Sequence, residues 1–173
     1  DVDANIRVEG GTFISETDND VFYIGGTKVG AMFGEAVVIT NKALQEDFRY
    51  IIKQKGALLA KGRLLGIQFL ELFKDGLYFE VSEHAMKMAE LLKKGLLDLG
   101  YKLYADSPTN QQFVIVPDTK LKQLDAKYSY EYQMRYDETH SVVRFCTSWA
   151  TKEENVLALL EDMKPICMNV QET

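Results

Sequence analysis

Val21-Phe-Tyr-Ile-Gly-Gly-Thr-Lys-Val-Gly30 is the stretch of sequence that decides how the fold is interpreted. It opens with four apolar residues, a run that is typical of a short buried strand. Three glycines then surround one lysine, Lys28, and glycine lets the backbone come close to a bulky ligand. The stretch therefore predicts a strand that ends in a tight loop carrying an amine.

The amine of Lys28 makes this loop a candidate for covalent chemistry. Lysine is the side chain that forms a Schiff base with an aldehyde, and enzymes that use pyridoxal phosphate depend on that bond. An ordinary surface lysine in a loop would produce the same pattern. The motif taken alone favours the surface lysine, because a single short motif is a weak signal.

The composition narrows the class of protein. The chain has 173 residues, enough for one domain or two small ones, and 46% of them are hydrophobic, so a real core is expected. The net charge is -6 and no long basic run occurs, which argues against nucleic acid or anionic lipid as the main partner. No apolar stretch reaches the roughly 18 residues of a membrane span.

Two cysteines bear on the compartment and on metals. Cys146 and Cys167 form no CxxC motif and have no metal-ligand spacing, so free thiols in a reducing cytosol are expected. The N-terminal sequence also lacks the pattern of a signal peptide. We therefore predict a cytoplasmic protein without a metal site.

Apolar periodicity predicts alternating strands and helices. Six strands are expected, over residues 21–24, 36–39, 101–104, 112–116, 128–134 and 141–146. Five helices are expected, over residues 41–55, 61–74 and 79–99, around Leu121, and from a Thr151 cap to residue 163. The helix at 61–74 is apolar nearly all round and is predicted to be buried. The first two strands are joined by too short a connection for a helix crossover, so they are predicted to be antiparallel.

Three ordered blocks resemble one known family. Val21-Phe-Tyr-Ile-Gly-Gly-Thr-Lys-Val-Gly-Ala-Met-Phe-Gly-Glu-Ala-Val-Val-Ile39 closely resembles the lysine region of the threonine aldolase and β-eliminating lyase family. Lys55-Gly-Ala-Leu-Leu-Ala-Lys-Gly-Arg-Leu-Leu-Gly66 resembles the helix that follows this lysine, and Val142-Val-Arg-Phe-Cys-Thr-Ser-Trp-Ala-Thr151 resembles the family's C-terminal strand. The family consists of fold type I pyridoxal phosphate enzymes, in the aspartate aminotransferase superfamily.

The resemblance implies the architecture. It covers the C-terminal half of the family's chain, so an α/β fold is expected. Residues 1–76 would be the end of the large cofactor-binding domain with its sheet and helices, and residues 77–173 a small C-terminal α+β domain. The family's first half carries the early strands, the aromatic residue that stacks on the cofactor ring and most of the phosphate loop. Its absence here is expected of a fragment or of an incompletely represented protein.

The resemblance also implies which residues would bind pyridoxal 5'-phosphate. Lys28 would be the catalytic lysine that holds the cofactor, and Thr27 would contact its phosphate or support the loop. Lys61 lies in the region that approaches the phosphate in the family. Asp3 would pair with the pyridine nitrogen, although the family's Asp-Gly-Ala-Arg segment is altered here. Solvated charges are the alternative for Lys61, and an ordinary polar loop for Asp3.

Arg144 and Arg7 are the candidates for binding substrate. Arg144 lies inside an apolar strand, where a free guanidinium is costly to bury, and a carboxylate bound in two places would explain it. In the resembled family this arginine binds the α-carboxylate of the amino acid. A structural ion pair is the alternative. The resemblance gives Arg7 a weaker role beside the same carboxylate.

The function implied is that of a pyridoxal-phosphate-dependent carbon–carbon lyase, which cleaves a β-hydroxy amino acid to glycine and an aldehyde. Two alternatives stay open: a β-eliminating lyase or aminotransferase of the same fold, and a non-catalytic fragment that lacks half of the site. The expected partners are an amino acid substrate and further copies of the chain, in a homodimer or homotetramer with shared sites. No nucleic acid or membrane partner is expected.

Overall fold

The computed structural model describes residues 20–164 in full, together with the strands at residues 6–9 and 12–15. Two compact units divide the chain, Asp1–Glu80 and Val81–Thr173. Their mixed strands and helices agree with the predicted α/β class. The predicted identity of these parts as a large and a small domain stays a prediction.

The N-terminal unit opens with two antiparallel strand pairs, β1 with β2 and β3 with β4. Their bounds are β1 (Ile6–Glu9), β2 (Thr12–Ser15), β3 (Val21–Gly25) and β4 (Glu35–Ile39). Gly25 lies opposite Glu35, so residues 26–34 form the whole connection between β3 and β4. The antiparallel arrangement predicted from the shortness of this connection is confirmed.

Three helices follow in the N-terminal unit. They are α1 (Lys42–Gln45), α2 (Phe48–Gln54) and α3 (Arg63–Phe73). The predicted cap at Asn41 is confirmed, since its side chain accepts a hydrogen bond from the backbone N–H of Ala43 at 2.9 Å. The prediction of one helix over residues 41–55 is wrong. Asp47 takes a φ of 55°, which interrupts the helical path and leaves two short helices.

Helix α3 has two apolar faces, and only one of them is covered. Leu72 is buried, whereas the side chains of Leu64, Ile67 and Leu70 are 50%, 53% and 66% exposed. These three residues recur at every third position and so lie along one side of the helix. The prediction that this helix is well buried is therefore wrong for the described part of the chain.

The C-terminal unit is a four-stranded antiparallel sheet with helices. The elements are α4 (Leu77–Asp98, from Val81 on in this unit), β5 (Lys102–Ala105), β6 (Gln111–Pro117), α5 (Asp118–Leu124), β7 (Glu131–Arg135), β8 (His140–Cys146) and α6 (Glu153–Met163). The strand order is β5-β6-β8-β7, and every neighbouring pair is antiparallel. Strands β6 and β8 are thus the two central strands.

Two predicted boundaries in this unit need correction. The strand expected over residues 128–134 begins only at Glu131, and its residues are all exposed. Thr151 was expected to cap the last helix, but its hydroxyl accepts a hydrogen bond from the backbone N–H of Ser148 at 2.9 Å. The residue at the cap position is Lys152, without a side-chain capping bond. Threonine therefore stabilises the preceding turn here.

The sheet alternates between a core face and an opposite face. Val114 of β6 lies opposite Val143 of β8, and both belong to the core cluster; Phe113 lies opposite Arg144 at the next register position, on the other face. The core face packs against residues of three helices. The buried cluster contains Met88, Leu92, Leu96, Val114, Val116, Leu121, Leu124, Val143, Phe145, Val156, Leu159 and Met163.

Lys120 is a buried charge that joins α5 to the end of α6. Its Nζ atom donates to the carbonyl oxygens of Asp162 and Lys164 at 3.1 and 2.9 Å. Carbonyl groups at a helix C-terminus have no intrahelical partner and carry partial negative charge. The ammonium group therefore satisfies acceptors that the helix leaves open.

Replacing Lys120 by methionine tests this contact. Lys120→Met keeps the length of the side chain and removes both hydrogen bonds, so we expect the C-terminal unit to lose about 2 kcal/mol of unfolding free energy, as for buried bonds to a charged group. Urea denaturation followed by circular dichroism measures it. Lys122→Met changes an exposed lysine of the same helix and should stay within about 0.5 kcal/mol of the unchanged protein. Equal effects of the two substitutions would contradict the assignment.

Candidate active site

Lys28 lies in a single 3₁₀ turn, Thr27–Val29, directly after β3. The backbone N–H groups of Val29 and Ala31 both donate to the carbonyl oxygen of Gly26, at 3.2 and 2.9 Å. Val29 is buried, whereas Lys28 is exposed. The turn therefore presents the lysine side chain on a backbone that hydrogen bonds and one buried anchor hold in place.

The glycines around the turn serve the packing of the protein itself. A Cβ atom at Gly26 would lie 2.8 Å from the Cβ of Ala31 and 2.9 Å from the carbonyl oxygen of Gly34. At Gly34, where φ is 88°, a Cβ would overlap the side chain of Leu65. At Gly25 nothing lies within 4 Å of an added Cβ. The space beside Gly25 is thus the open side of the loop.

Gln68 of α3 holds the far end of the same connection. Its Oε1 accepts from the backbone N–H of Met32 at 2.6 Å, and its Nε2 donates to the carbonyl oxygens of Phe33 and Leu64 at 3.3 and 3.0 Å. Sequence reasoning missed this residue. The signal that was present is that Gln68 is the one uncharged polar side chain in the apolar sequence of α3.

Tyr78 supports the near end of the connection. Its hydroxyl donates to the carbonyl oxygen of Gly25 at 3.0 Å, and its ring stacks on Phe73 with 5.0 Å between centroids. Burial raises the pKa of Tyr78 above its usual value, so the hydroxyl stays protonated and able to donate. Fifty-three residues separate the two partners in sequence, so the sequence gives no local signal for this contact.

Three candidate cofactor residues of the N-terminal unit, Lys28, Thr27 and Lys61, have no side-chain partner among the described residues. In the part of the chain that the structure describes, no hydrogen bond or ion pair reaches the side chains of Lys28, Thr27 or Lys61. Lys61 is exposed in the turn before α3, where its carbonyl oxygen accepts from the N–H of Leu64 at 2.9 Å. An amine without a carboxylate partner is available for covalent chemistry once it loses its proton.

Two further candidates lie wholly or partly outside the part of the chain that the structure describes. Asp3 lies outside the described residues. Arg7 is on β1 opposite Ile14, but the structure does not describe its side chain. Their predicted roles remain predictions.

Arg144 lies on β8 in the C-terminal unit, with Phe113 on one side and Glu131 on the other. The residue is half-buried. Its Nη1 donates to Oε1 of Gln111 at 2.8 Å, and its Nε is buried without an acceptor among the described residues. Although Glu131 is the register neighbour, no carboxylate within residues 20–164 forms an ion pair with Arg144. Among the described residues, no carboxylate thus compensates the charge of the guanidinium.

Two cavities open on the C-terminal unit. One, of about 410 Å³, is lined by residues that include Lys102, Asp137 and His140. The other, of about 490 Å³, includes Cys146 and Asn155 in its lining. The backbone N–H of Thr139 and the His140 side chain donate to Asp137 and lower the pKa of its carboxyl group to about 2. Neither lining includes Arg144.

The described residues contain neither a cluster of metal ligands nor a helix that could span a membrane. Within residues 20–164, no group of three or more His, Cys, Asp or Glu side chains is placed to hold a metal ion. In the same part of the chain, every helix is too short or too polar to cross a lipid bilayer. Cys146 is a free, exposed thiol, and Cys167 lies outside the described residues.

The chain is similar to several known proteins over most of its own length. The chain is 33% identical over 148 residues to a low specificity L-threonine aldolase of a Pseudomonas species, covering 85% of this chain and 42% of that protein. It is 45% identical to the solved threonine aldolase of Leishmania major, with a TM-score of 0.80 over 83% of this chain and 42% of that one. A Sphingomonas wittichii serine palmitoyltransferase, 17% identical, shares the fold with a TM-score of 0.59 over 78% of this chain and 36% of that one. No protein-family model matches the chain.

These relationships confirm the predicted resemblance to threonine aldolases and to the fold of fold type I pyridoxal phosphate enzymes. The chain spans less than half the length of the relatives it matches, 42% of the Pseudomonas protein. That share agrees with the prediction that the resemblance covers one half of the family's chain.

Adjacent glycines allow a matched test of the lysine turn. Gly26→Ala should force the Ala31 and Gly34 backbone apart and lower the unfolding free energy of the N-terminal unit by about 1–3 kcal/mol, the usual cost of overpacking. Hydrogen exchange of the Val29 and Ala31 amides, which bond to Gly26, should become faster. Gly25→Ala adds the same methyl group to open space and should leave both quantities nearly unchanged. Equal exchange rates in the two variants would contradict the packing described.

Proposed function

We propose that this chain forms part of a pyridoxal-phosphate-dependent carbon–carbon lyase of the threonine aldolase type, which cleaves β-hydroxy amino acids to glycine and an aldehyde. The similarity to threonine aldolases at 33% and 45% identity supports the family. The observation that carries the assignment of the site is that Lys28 and Arg144, the cations at the two predicted positions, have no carboxylate partner among the described residues.

The surroundings of Lys28 fit pyridoxal 5'-phosphate. The lysine is exposed on a turn with defined hydrogen bonds, its amine has no partner among the described residues, and the loop is open beside Gly25. When bound, the cofactor supplies an aldehyde carbon for the lysine and a ring that withdraws electrons from the amino acid. Lys28 would hold it and move protons at its own Nζ, and Thr27 and Lys61 would contact the phosphate. Asp3 would pair with the ring nitrogen.

Arg144 would bind the α-carboxylate of the amino acid. A half-buried guanidinium with no carboxylate partner among the described residues has donors to spare, and a carboxylate ligand satisfies two of them at once. Arg7 would assist in this role. Fixing the carboxylate limits how the amino acid can turn about its Cα atom.

The relatives extend well beyond the matched part, and we propose that the complete site also uses residues that correspond to their unmatched part. We assign to that remainder the stacking of the cofactor ring and the choice of the bond that breaks. We also propose a cytoplasmic location, on the basis of the cysteine usage.

The exposed side of α3 supports an assembly of several copies. Leu64, Ile67 and Leu70 expose half or more of their surface on one side of the helix, and adjoining apolar residues of this kind mark an interaction surface. We propose that a second subunit covers this side, in a homodimer or homotetramer.

Reduction with borohydride tests the role of Lys28. After incubation with pyridoxal 5'-phosphate and borohydride, peptide mapping by mass spectrometry should find the cofactor on the peptide that contains Lys28. Lys28→Arg keeps the charge but cannot form the bond, so the adduct should disappear and release of aldehyde from L-threonine should fall roughly a thousandfold or more, as when a covalent nucleophile is removed. Lys42→Arg is the control, since it changes another exposed lysine.

The products distinguish the proposed carbon–carbon cleavage from β-elimination. Glycine and acetaldehyde from L-threonine support the lyase, whereas pyruvate and ammonia from a β-substituted amino acid would show elimination instead. An adduct on a different lysine would overturn the assignment of Lys28. A chain that never forms an adduct would contradict cofactor binding by this chain.

Sedimentation velocity tests the α3 surface. Ile67→Glu places a charge in the proposed interface and should shift the protein toward monomer, because a buried unpaired charge is costly. Leu157→Glu changes a leucine of α6 with 50% exposure and should leave the distribution unchanged. A monomeric unsubstituted protein at micromolar concentration would contradict the proposed assembly.

A further inference from the structure

We infer that Gln111 is the positioning residue for Arg144: its side-chain amide fixes one edge of the guanidinium and leaves the charge free for the substrate carboxylate. This inference rests on the proposed function of Arg144. Oε1 of Gln111 lies 2.8 Å from Nη1 of Arg144. A guanidinium only donates hydrogen bonds, so the amide oxygen, and not its nitrogen, faces the arginine.

Gln111 occupies the right place on the sheet for this task. It is the first residue of β6 and lies opposite Cys146, two positions beyond Arg144 on β8. Residues at even spacing along a strand point to the same face. Gln111, Cys146 and Arg144 therefore share the face opposite the core cluster, and the amide reaches Arg144 diagonally across the two central strands.

The loop before Gln111 fixes where the strand begins. The backbone N–H of Gln111 donates to Oγ1 of Thr109 at 3.2 Å. The next residue, Gln112, is buried, and its Nε2 donates to the carbonyl oxygen of Thr109 at 2.8 Å. The hydroxyls of Thr109 and Ser107 are 2.9 Å apart and share a hydrogen bond. Residues 107–112 therefore form a bonded unit with little freedom to shift.

A second set of bonds fixes this end of β8. The backbone N–H of Thr147 donates to the carbonyl oxygen of Asn110 at 3.0 Å, and Nδ2 of Asn110 donates to that of Thr147 at 2.7 Å. The Thr147 hydroxyl donates to the carbonyl oxygen of Ala85 in α4 at 2.7 Å. The strand ends that carry Gln111 and Arg144 are thus tied to each other and to a core helix.

The neutrality of Gln111 matters as much as its position. A carboxylate at this distance would bind the guanidinium by a charge-assisted bond and compete with the substrate. The amide takes one N–H of Nη1 and adds no charge. Nη2 has no partner among the described residues and is not among the fully buried atoms, so the terminal nitrogens can still donate to a ligand.

A charge substitution distinguishes a Gln111 that positions Arg144 from a Gln111 that only stabilises the sheet. Gln111→Glu keeps the shape and strengthens the contact with Arg144, so a structural residue would tolerate it. If Gln111 positions a free charge, KM for L-threonine should rise at least about tenfold in Gln111→Glu and several-fold in Gln111→Ala, with kcat changed less and the melting temperature of the Glu variant preserved. Gln133→Glu adds the same charge to an exposed residue of the same sheet and should leave KM unchanged.

Arg144→Gln distinguishes failure of the proposed role of Arg144 from failure of the inference about Gln111. If it leaves KM unchanged, the carboxylate role of Arg144 fails, and the inference about Gln111 fails with it. If it raises KM while both Gln111 variants keep the original value, only the inference about Gln111 is overturned.

A binding measurement tests the inference about Gln111 without requiring the protein to turn over substrate. Glycine is added to the protein, and the Arg144 guanidinium signal is followed by nitrogen-15 NMR. The signal should shift in the unsubstituted protein and in Gln133→Glu, and shift less in Gln111→Glu. No shift in the unsubstituted protein, or equal shifts in all three, would overturn the inference.

Discussion

The pairing of β6 with β8 is the constraint on which the C-terminal unit depends. Seven consecutive residue pairs fix its register, from Gln111 opposite Cys146 to Pro117 opposite His140. Because side chains alternate across a strand, this single register sends Val143 and Phe145 into the core and Arg144 to the other face. A slip of one residue would bury the guanidinium among the helices, so the apolar core and the candidate substrate residue are specified together.

The two units differ in how they are stabilised. In the part of the chain that the structure describes, the N-terminal unit buries three large apolar side chains, Ile24, Val29 and Leu72, whereas the C-terminal unit buries a cluster of twelve. The lysine turn therefore depends more on backbone and side-chain hydrogen bonds from Gln68 and Tyr78 than on a deep core. Regions with few buried contacts open at lower free energy than the core, so the proposed cofactor lysine lies in the more adaptable unit.

Local patterns predicted most of the elements, whereas contacts between distant residues could not be foreseen. The strand pair around Lys28 and the long helix followed from apolar runs and from glycines. The break at Asp47 carries no glycine or proline to announce it, and the apolar residues of α3 cannot tell which side another surface covers. Lys28 and Arg144 could be proposed as site residues because each breaks its local pattern. Gln111 and Gln68 were missed because their partners lie more than thirty residues away.

Both edges of the C-terminal sheet carry an irregularity in their pairing, between Leu103 and Ala105 on β5 and between Tyr132 and Met134 on β7. Bulges twist an edge strand and leave its backbone groups out of step with a straight partner. Another chain therefore finds no regular template for adding a strand at either edge. These irregularities therefore disfavour edge-to-edge aggregation of the C-terminal sheet.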